Sequence, residues 1–440
     1  MEYAYRFQAY PDRTGVTSEI EQHLDIHRQA YNHTRYEYNN KQNQSNIGSA
    51  YKHQKRLTDW KREFSVFSKV HSKALQKTVE RFYDNLSNLS KRKDKDYKVG
   101  ELKWKSPRDY QSITYSQSGF ELKNTSGQKT NTATLWLSKI GDIPIRYHRP
   151  VPDHATIKEV TLKKETTDEW YVSLSVEVED ERVPNKTPAK ELESDDCIGI
   201  DLGVLNYIHT SDGVSVDGLD SEDQYERLER EQQKLSRKQN GSNNWEKQRK
   251  RVAKIKRHIR RKVLDFQHKI TSWLTTEYEA VFVEDLDVKP MMEQSHNARN
   301  KQDAAWSQFI DLLEYKADLN GCYIEKVKPE GTSKVCSECG AESDKPVWVR
   351  EHSCPACGFE LDRDWNASIN VLERGLELLG DRLGLGQSEV ERLMETGLPV
   401  GKIRSESVPA KTVVETGSPC ENKGSPILKS GTETAVSVSD

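Results

Sequence analysis

The chain has 440 residues, of which 34% are hydrophobic and 31% charged, with a net charge of −3. That length implies two or three domains, and that polarity implies a surface-heavy fold with a disordered portion. No apolar run reaches the roughly 18 residues of a membrane span, and the N-terminal MEYAYRFQAYPDRTG lacks the charged-then-apolar layout of a signal peptide, so a cytoplasmic protein with no membrane partner is expected.

Residues 3–8 read as a short strand and 17–90 as helical. Phe67, Val70, Ala74, Phe82, Leu86 and Leu89 keep a three-or-four spacing, which gives an apolar face. Lys69, Lys73, Lys77 and Arg81 fall opposite, so the expectation is an amphipathic bundle with a basic outer surface. Residues 51–108 hold 17 Lys/Arg against 7 Asp/Glu. From about residue 100 the period changes to two. Residues 158–165 and 170–177 alternate cleanly, with Trp170, Val172, Leu174 and Val176 on one face. With the N-terminal strand they predict a small antiparallel barrel or sheet. Lys103, Lys105, Arg108, Tyr110, Tyr115, Arg146, His148 and Arg149 mix bases with aromatics, a combination suited to phosphate contact and base stacking, and also ordinary on a sheet surface.

The polar stretch 179–195 contains two prolines and reads as a linker. An apolar strand at 197–201 follows, then a second after Gly203. A long helical pair covers 221–276, broken near Asn240. Its residues 227–269 hold 16 Lys/Arg against 4 Asp/Glu, and segregation of this size points to a polyanion partner. A strand at 280–284, a helix at 303–319, a strand at 323–328, a cysteine module and a helix at 365–379 complete an alternating α/β core. After Trp365 no aromatic residue occurs, and 400–440 reads as disordered.

Seven cysteines, an odd number, argue against a secreted disulfide scaffold. Four of them form Cys336-Ser-Glu-Cys339 and Cys354-Pro-Ala-Cys357, each followed by glycine. Four thiolates from two tight turns match a closed tetrahedral zinc site, structural rather than catalytic. His352 nearby reads as a surface residue, since no fifth ligand is needed.

Three acids end three motifs. Asp201 closes the strand Ile198-Gly-Ile200, Glu284 closes Val281-Phe-Val283, and the third lies in Asp362-Arg-Asp364-Trp-Asn-Ala-Ser. Any one alone reads as a helix cap or turn residue. Acids at the ends of buried parallel strands point into the crevice where α/β folds bind ligands, and carboxylates are the ligands Mg²⁺ prefers. Two such ions about 3.5–4 Å apart stabilise the attacking and leaving oxygens of a phosphodiester. Whether Asp362 or Asp364 supplies the third carboxylate is open on these grounds, because Asp364 sits at the start of the helix, where its carboxylate can face the site or cap the helix.

The constellation resembles the OrfB/TnpB family of insertion-sequence proteins, relatives of the type V CRISPR effector nucleases. The matching segments are Gly199-Ile-Asp-Leu-Gly203, Val283-Glu-Asp-Leu286, residues 332–340, Cys354-Pro-Ala-Cys-Gly358 and residues 361–370, with weaker likeness at 137–146 and 170–176. The resemblance implies a RuvC-like (RNase H-like) α/β nuclease core at 196–328 and 359–380, with a zinc ribbon inserted at 329–358. It further implies a β-barrel-like wedge domain at 1–16 and 91–180, a helical recognition insertion at 17–90, a linker at 181–195 and a largely disordered tail at 381–440. Asp201, Glu284 and Asp364 become the Mg²⁺-binding catalytic acids, and Cys336, Cys339, Cys354 and Cys357 the zinc ligands. The implied activity is RNA-guided cleavage of double-stranded DNA, with a guide RNA from the transposon end; base pairing reads the target and protein reads shape and a short flanking motif. The sequence around Lys289 and the Pro11-Asp-Arg-Thr-Gly15 turn depart from the family pattern. The competing expectation is a nucleic-acid-binding accessory of transposition that needs the charge and the zinc but not the acids.

Overall fold

The computed structural model describes residues 2–40, 49–94, 97–125, 131–178, 185–203, 206–286, 305–346, 348–395 and 406–408. The chain divides into two compact units, Met1–Glu181 with Gln239–Ala253, and Arg182–Lys238 with Lys254–Asp440.

The first unit joins a helical layer to an antiparallel sheet. Its elements are β1 (Glu2–Ala9), α1 (Thr17–Asn39), α2 (Ala50–Lys55), α3 (Leu57–Glu63), α4 (Ser72–Asp94), β2 (Ser112–Ser116), β3 (Phe120–Lys123), β4 (Thr132–Leu137), β5 (Gly141–Arg146), β6 (Thr156–Lys164) and β7 (Trp170–Glu177). The strands lie in the order β2-β6-β7-β1-β5-β4-β3, with β2 and β3 at the edges. The expected β6–β7 hairpin forms with Val160 opposite Leu174 and Leu162 opposite Val172, all four fully buried. Asp168, at φ 66°, turns the chain between them. Such a pairing is specified by alternation, since a one-residue slip would turn the apolar set to water.

In the helical layer, Leu75 and Val79 of α4 pack with Ile26 and Ala30 of α1, and Trp60 of α3 joins them. Two expectations for α4 need correction. Lys77 and Arg81 do not form an outer surface: Lys77 pairs with Glu159 of β6 at 2.8 Å, and Arg81 donates to Ser112 O at 3.2 Å and Thr114 Oγ1 at 2.9 Å. The face opposite the apolar stripe packs on the sheet, and long basic side chains bond its edge. The stripe also runs out, because Leu86 and Leu89 are half-buried where Phe82 is fully buried. Beneath α3, the buried Glu37 carboxylate receives Arg56 at 2.7 Å, His53 Nε2 at 3.0 Å and Trp60 Nε1 at 3.2 Å. The charge is retained there because several donors surround it, which holds its carboxyl below the usual range despite burial.

The second unit contains β8 (Cys197–Leu202), β9 (Asn206–Thr210), β10 (Val214–Asp217), α5 (Glu222–Ser236), most of α6 (Asn243–Glu277), β11 (Ala280–Glu284), α7 (Trp306–Asn320), β12 (Tyr323–Val327), β13 (Glu351–Ser353), β14 (Glu360–Asp362), α8 (Arg363–Leu383), α9 (Gln387–Glu395) and β15 (Glu406–Val408). The sheet order is β12-β11-β8-β9-β10-β15. β8, β11 and β12 run parallel, and β9 is antiparallel to both neighbours. Alternation along the parallel strands sorts the two faces. Ile198, Ile200, Val281 and Val283 pack against Phe266, Ile270 and Leu274 of α6 and Phe309 and Leu313 of α7. Cys197, Ala280 and Phe282 pack against Leu372, Leu376 and Leu379 of α8. Strands covered on both faces read as continuous apolar runs for this reason.

Two glycines let α8 approach the sheet. A Cβ on Gly199 would lie 2.5 Å from Leu372 N, and one on Gly375 would lie 2.2 Å from the Phe282 ring. The Gly-Ile-Asp motif thus seats a helix directly beneath the strand that carries Asp201.

The tail expected to be disordered from residue 381 is corrected where it is described. α8 continues to Leu383, α9 buries Leu393, and Glu406–Val408 pairs parallel with β10. Leu383, Leu393 and Met394 supply apolar anchors that a search for aromatic residues overlooks. Residues 396–405 and 409–440 of that expectation, residues 181–184 of the linker, and Lys289 lie outside the described residues. Leu192, in the segment read as linker, is fully buried in the same cluster.

Candidate active site and metal centre

Parallel register sets the first two acids side by side. Ile200 of β8 pairs with Val283 of β11, so Asp201 and Glu284 are the next positions along adjacent strands. Burial and the neighbouring Glu284 charge push the Asp201 carboxyl up to about 8. The Glu284 carboxyl is also raised, first by burial, and accepts the Thr332 hydroxyl proton. The buried Glu284 and the half-buried Asp201 disfavour each other's ionisation, and a shared cation would relieve both.

The two candidates for the third acid have distinct surroundings. Asp362 is the N-cap of α8, its Oδ1 accepting from Asp364 N at 2.9 Å and Trp365 N at 3.2 Å. Its charge raises the Asp201 carboxyl. Asp364, in the first turn of α8, is ion-paired with Arg350. Arg350 also lowers the Asp201 carboxyl, opposing Glu284 and Asp362. Asp201, Glu284 and Asp362 thus share one electrostatic neighbourhood, and Asp364 joins it through Arg350. Among the described residues no three of these acids bring their ligand oxygens within 4.8 Å of one another, whereas the four cysteines do.

In the cysteine module, Cys336 and Cys357 Sγ are 3.8 Å apart and Cys339 and Cys354 Sγ 3.6 Å. A tetrahedral zinc with bonds of about 2.3 Å requires sulfurs about 3.8 Å apart, so the residues fit the ion. Each pair sits in a tight turn closed by its glycine: Gly340 N donates to Cys336 O at 2.9 Å, and Gly358 N to Cys354 O at 3.0 Å. Both glycines have positive φ, 73° and 77°, a conformation that disfavours a side chain. Backbone N–H groups, first that of Cys357, hold the Cys354 thiol down to about 6.

The sequence reading missed how this module is held against α8. Arg363, Asn366 and Asn370 form one buried stripe along the helix. Arg363 Nη1 donates to Pro346 O at 2.7 Å and Nη2 to Ser333 Oγ at 3.1 Å. Asn366 accepts from Ser337 N at 3.0 Å and donates to Val335 O at 2.8 Å. Asn370 donates to Thr332 O at 2.7 Å and also to Val335 O. Arg374 extends the row to Lys328 O and Glu330 O at 3.0 and 2.8 Å. The signal was present in the sequence as polar residues at i, i+3, i+7 and i+11 within an otherwise apolar helix. Trp365 ties α8 to the β9–β10 turn, its Nε1 donating to Ser211 O at 3.0 Å and its ring lying against Gly213, where a Cβ would come within 2.6 Å. His209, paired with Asp201 across β8 and β9, stacks on the same ring.

The basic segment occupies α5 and α6, with Lys254, Lys256, Arg260 and Arg261 exposed. Within the described residues no helix is long and apolar enough to cross a membrane.

Comparison with known proteins agrees with this architecture. A family model described as "Probable transposase" (OrfB_IS605) matches residues 173–295, and "Cas12f1-like, TNB domain" matches 306–371. A Streptomyces pristinaespiralis protein named "Putative RNA-guided DNA endonuclease" is 32% identical over 328 residues, 73% of this chain and 76% of that protein. "Putative RNA-guided DNA endonuclease InsQ" of Escherichia coli K12 is 27% identical over 262 residues, 56% of this chain and 63% of that protein, under two thirds of its length. The protein chain in a cryo-EM structure of a Cas12f1–sgRNA–target DNA complex shares the fold at a TM-score of 0.54 and 15% identity, covering 80% of this chain and 82% of that one. The chain belongs to the OrfB/TnpB family.

Proposed function

We propose that this protein is an RNA-guided DNA endonuclease of a transposable element, cleaving phosphodiester bonds with divalent cations held by Asp201, Glu284 and Asp364. The carrying observation is the pair of carboxylates at adjacent ends of parallel strands, Glu284 buried and Asp201 half-buried, both raised by desolvation, with the acidic start of α8 seated on the same strands through Gly199. The order of β10, β9, β8, β11 and β12, with β9, the second strand of this unit, antiparallel to its neighbours, supports a RuvC-like core. The names of the relatives support the substrate and the guide.

An all-oxygen donor set of carboxylates suits magnesium. Asp201, Glu284 and Asp364 would hold such ions, which would supply activation of water and charge stabilisation for the leaving oxygen. The chain's own residues prepare the site. The Thr332 hydroxyl fixes Glu284. Asp362 caps α8 and so sets the direction in which Asp364 projects from its first turn. Arg350 neutralises Asp364. Zinc in the cysteine module has a structural role, fixing the loops that carry Thr332 and Arg350. The first unit serves as wedge and recognition domains, the basic α5–α6 pair contacts nucleic acid, the guide derives from the transposon end, and the setting is the cytosol.

The test is purification with co-bound RNA, followed by presentation of matched duplex DNA with Mg²⁺. Wild type should cut, and Asp201→Ala and Glu284→Ala should lose activity by at least 10²-fold while still binding RNA. Equal cutting by wild type and Asp201→Ala overturns the assignment. An Asp362→Ala and Asp364→Ala pair separates the two candidates: loss of the ligand abolishes cutting, and loss of the cap lowers stability.

A further inference from the structure

We propose that the first unit contains a pocket for one unpaired nucleotide, formed where the core face of α4 runs out beside α1. This rests on the nucleic-acid reading above and adds a site to it. A hollow of about 820 Å³ opens between α1, the last turns of α4 and the segment around Lys105. That volume lies in the range of small-molecule sites. It is far from a featureless cleft between helices, because its α4 wall is largely polar. Leu75, Val79 and Phe82 bury one face of α4. That face continues with the half-buried Leu86 and Leu89, and the flank beside it turns Asn85, Asn88 and Arg92 to the hollow. The wall thus offers two carboxamides, each with donor and acceptor, and a guanidinium beside the apolar Leu89.

The opposite wall is held in place. Asn32 accepts from Lys105 N at 2.8 Å and donates to Lys105 O at 3.0 Å, and Arg35 Nε donates to Leu102 O. The segment is thus built onto α1 by side chains whose polar atoms are spent on it. Tyr31, fully buried at the floor, accepts from Asn85 Nδ2 at 3.3 Å and aligns that amide. At the rim, the exposed Trp104 lies against the Arg35 guanidinium, 4.4 Å from the ring centroid.

These groups divide as a nucleotide does. Asn85 and Asn88 can read a base edge with paired donor and acceptor, as carboxamides do for adenine. Leu89 and Leu102 supply apolar surface for a ring face, and Arg92 with Lys91 and Lys105 supplies positive charge for the phosphate against the single acid Asp94. A base stacked within a duplex has no free face and cannot enter, so the occupant is an unpaired nucleotide. The same chemistry exists in a looped-out guide nucleotide and in a displaced DNA strand.

The experiment uses the full-length protein with its co-purifying RNA carrying 4-thiouridine and 6-thioguanosine, and in a parallel arm a thio-substituted target DNA strand. Near-ultraviolet irradiation and mass spectrometry then locate the adducts. Adducts within residues 85–105 or at Tyr31, from RNA or from DNA, identify the occupant. An Asn85→Ala, Asn88→Ala double variant should lower that crosslink at least fivefold and speed release of that strand about tenfold, with circular dichroism unchanged. Normal RNA retention with adducts only elsewhere, or strand release at the wild-type rate in the double variant, overturns the pocket and leaves the endonuclease reading standing. Failure to retain either RNA or DNA overturns both.

Discussion

Gly199 and Ser368 are in such close contact that a Cβ on the glycine would stand 2.2 Å from the Ser368 carbonyl oxygen. One residue is two positions before Asp201 and the other four positions after Asp364, so the backbone contact couples strand and helix near the acids. Gly199→Ala should force α8 away from β8. The expected cost is about 2–3 kcal/mol, typical of overpacking, and cleavage should fall at least tenfold with zinc content unchanged. Urea unfolding, metal analysis and cleavage rates on one preparation check this; wild-type stability would mean that α8 is not locked at Gly199.

Asn366 links the cysteine module to α8 through both ends of its carboxamide. Asn366→Ala leaves Ser337 N without its acceptor and Val335 O with one donor fewer, at a cost of about 2 kcal/mol. Because Asn370 also donates to Val335 O, the Asn366→Ala and Asn370→Ala effects should be non-additive by about 0.5 kcal/mol or more. A double-mutant cycle from denaturant melts measures it, and strict additivity would show that the two amides act independently.

Asp201 makes a pH prediction. Its folded carboxyl titrates near 8, whereas an unfolded aspartate titrates near about 3.9. Between those values the metal-free folded state keeps a proton that the unfolded chain has released, so stability without added Mg²⁺ should fall as pH rises from about 4 to about 8 and level off above. Asp201→Asn should flatten that slope and, at pH 8, exceed the wild type by on the order of 2 kcal/mol, while losing the stabilisation that Mg²⁺ gives. Thermal melts from pH 5 to pH 9, with and without Mg²⁺, test the sign. A wild type that gains stability over that range would contradict it.

Glu37 has the opposite linkage. Its folded carboxyl is depressed by its surrounding donors, so its contribution is present above the unfolded value of about 4.3 and is lost as pH falls below it. Glu37→Gln leaves Arg56 and His53 without their carboxylate and should cost about 3 kcal/mol at pH 7. The deficit should shrink at pH 3. A deficit that stays constant with pH would assign it to packing.

Cys354→Ser removes one of four sulfurs and should lower bound zinc and loosen residues 329–362, seen as faster amide exchange there. A wild type that carries no zinc on metal analysis would overturn the structural-ion assignment.

Much of this architecture was legible because it rests on local periodicity. The β6–β7 hairpin announces itself by alternation, and β8 and β11 by apolar runs ending in Asp201 and Glu284. The paired cysteines with their glycines leave few alternatives. What escaped depends on partners distant in sequence. Lys77 and Arg81 looked solvated because the edge they bond lies about 30 to 80 residues away in the chain. Arg350 is one arginine among many until folding sets it on Asp364. β10 is a four-residue strand, and its partner β15 lies nearly 200 residues on. Asn366 and Asn370 have no evident task in the sequence, because a polar stripe in a helix is interpretable only once its acceptors are known.

The row of Arg363, Asn366, Asn370 and Arg374 has a consequence for protein engineering. It reads the backbone carbonyls of residues 328–346, whose positions depend on loop length and not on side-chain identity. The cysteine module is therefore not an interchangeable cassette. A chimera that imports a relative's module with one residue more or fewer between Lys328 and Val335 would keep its metal and lose its registration on the helix, and one that imports module and helix face together would keep both.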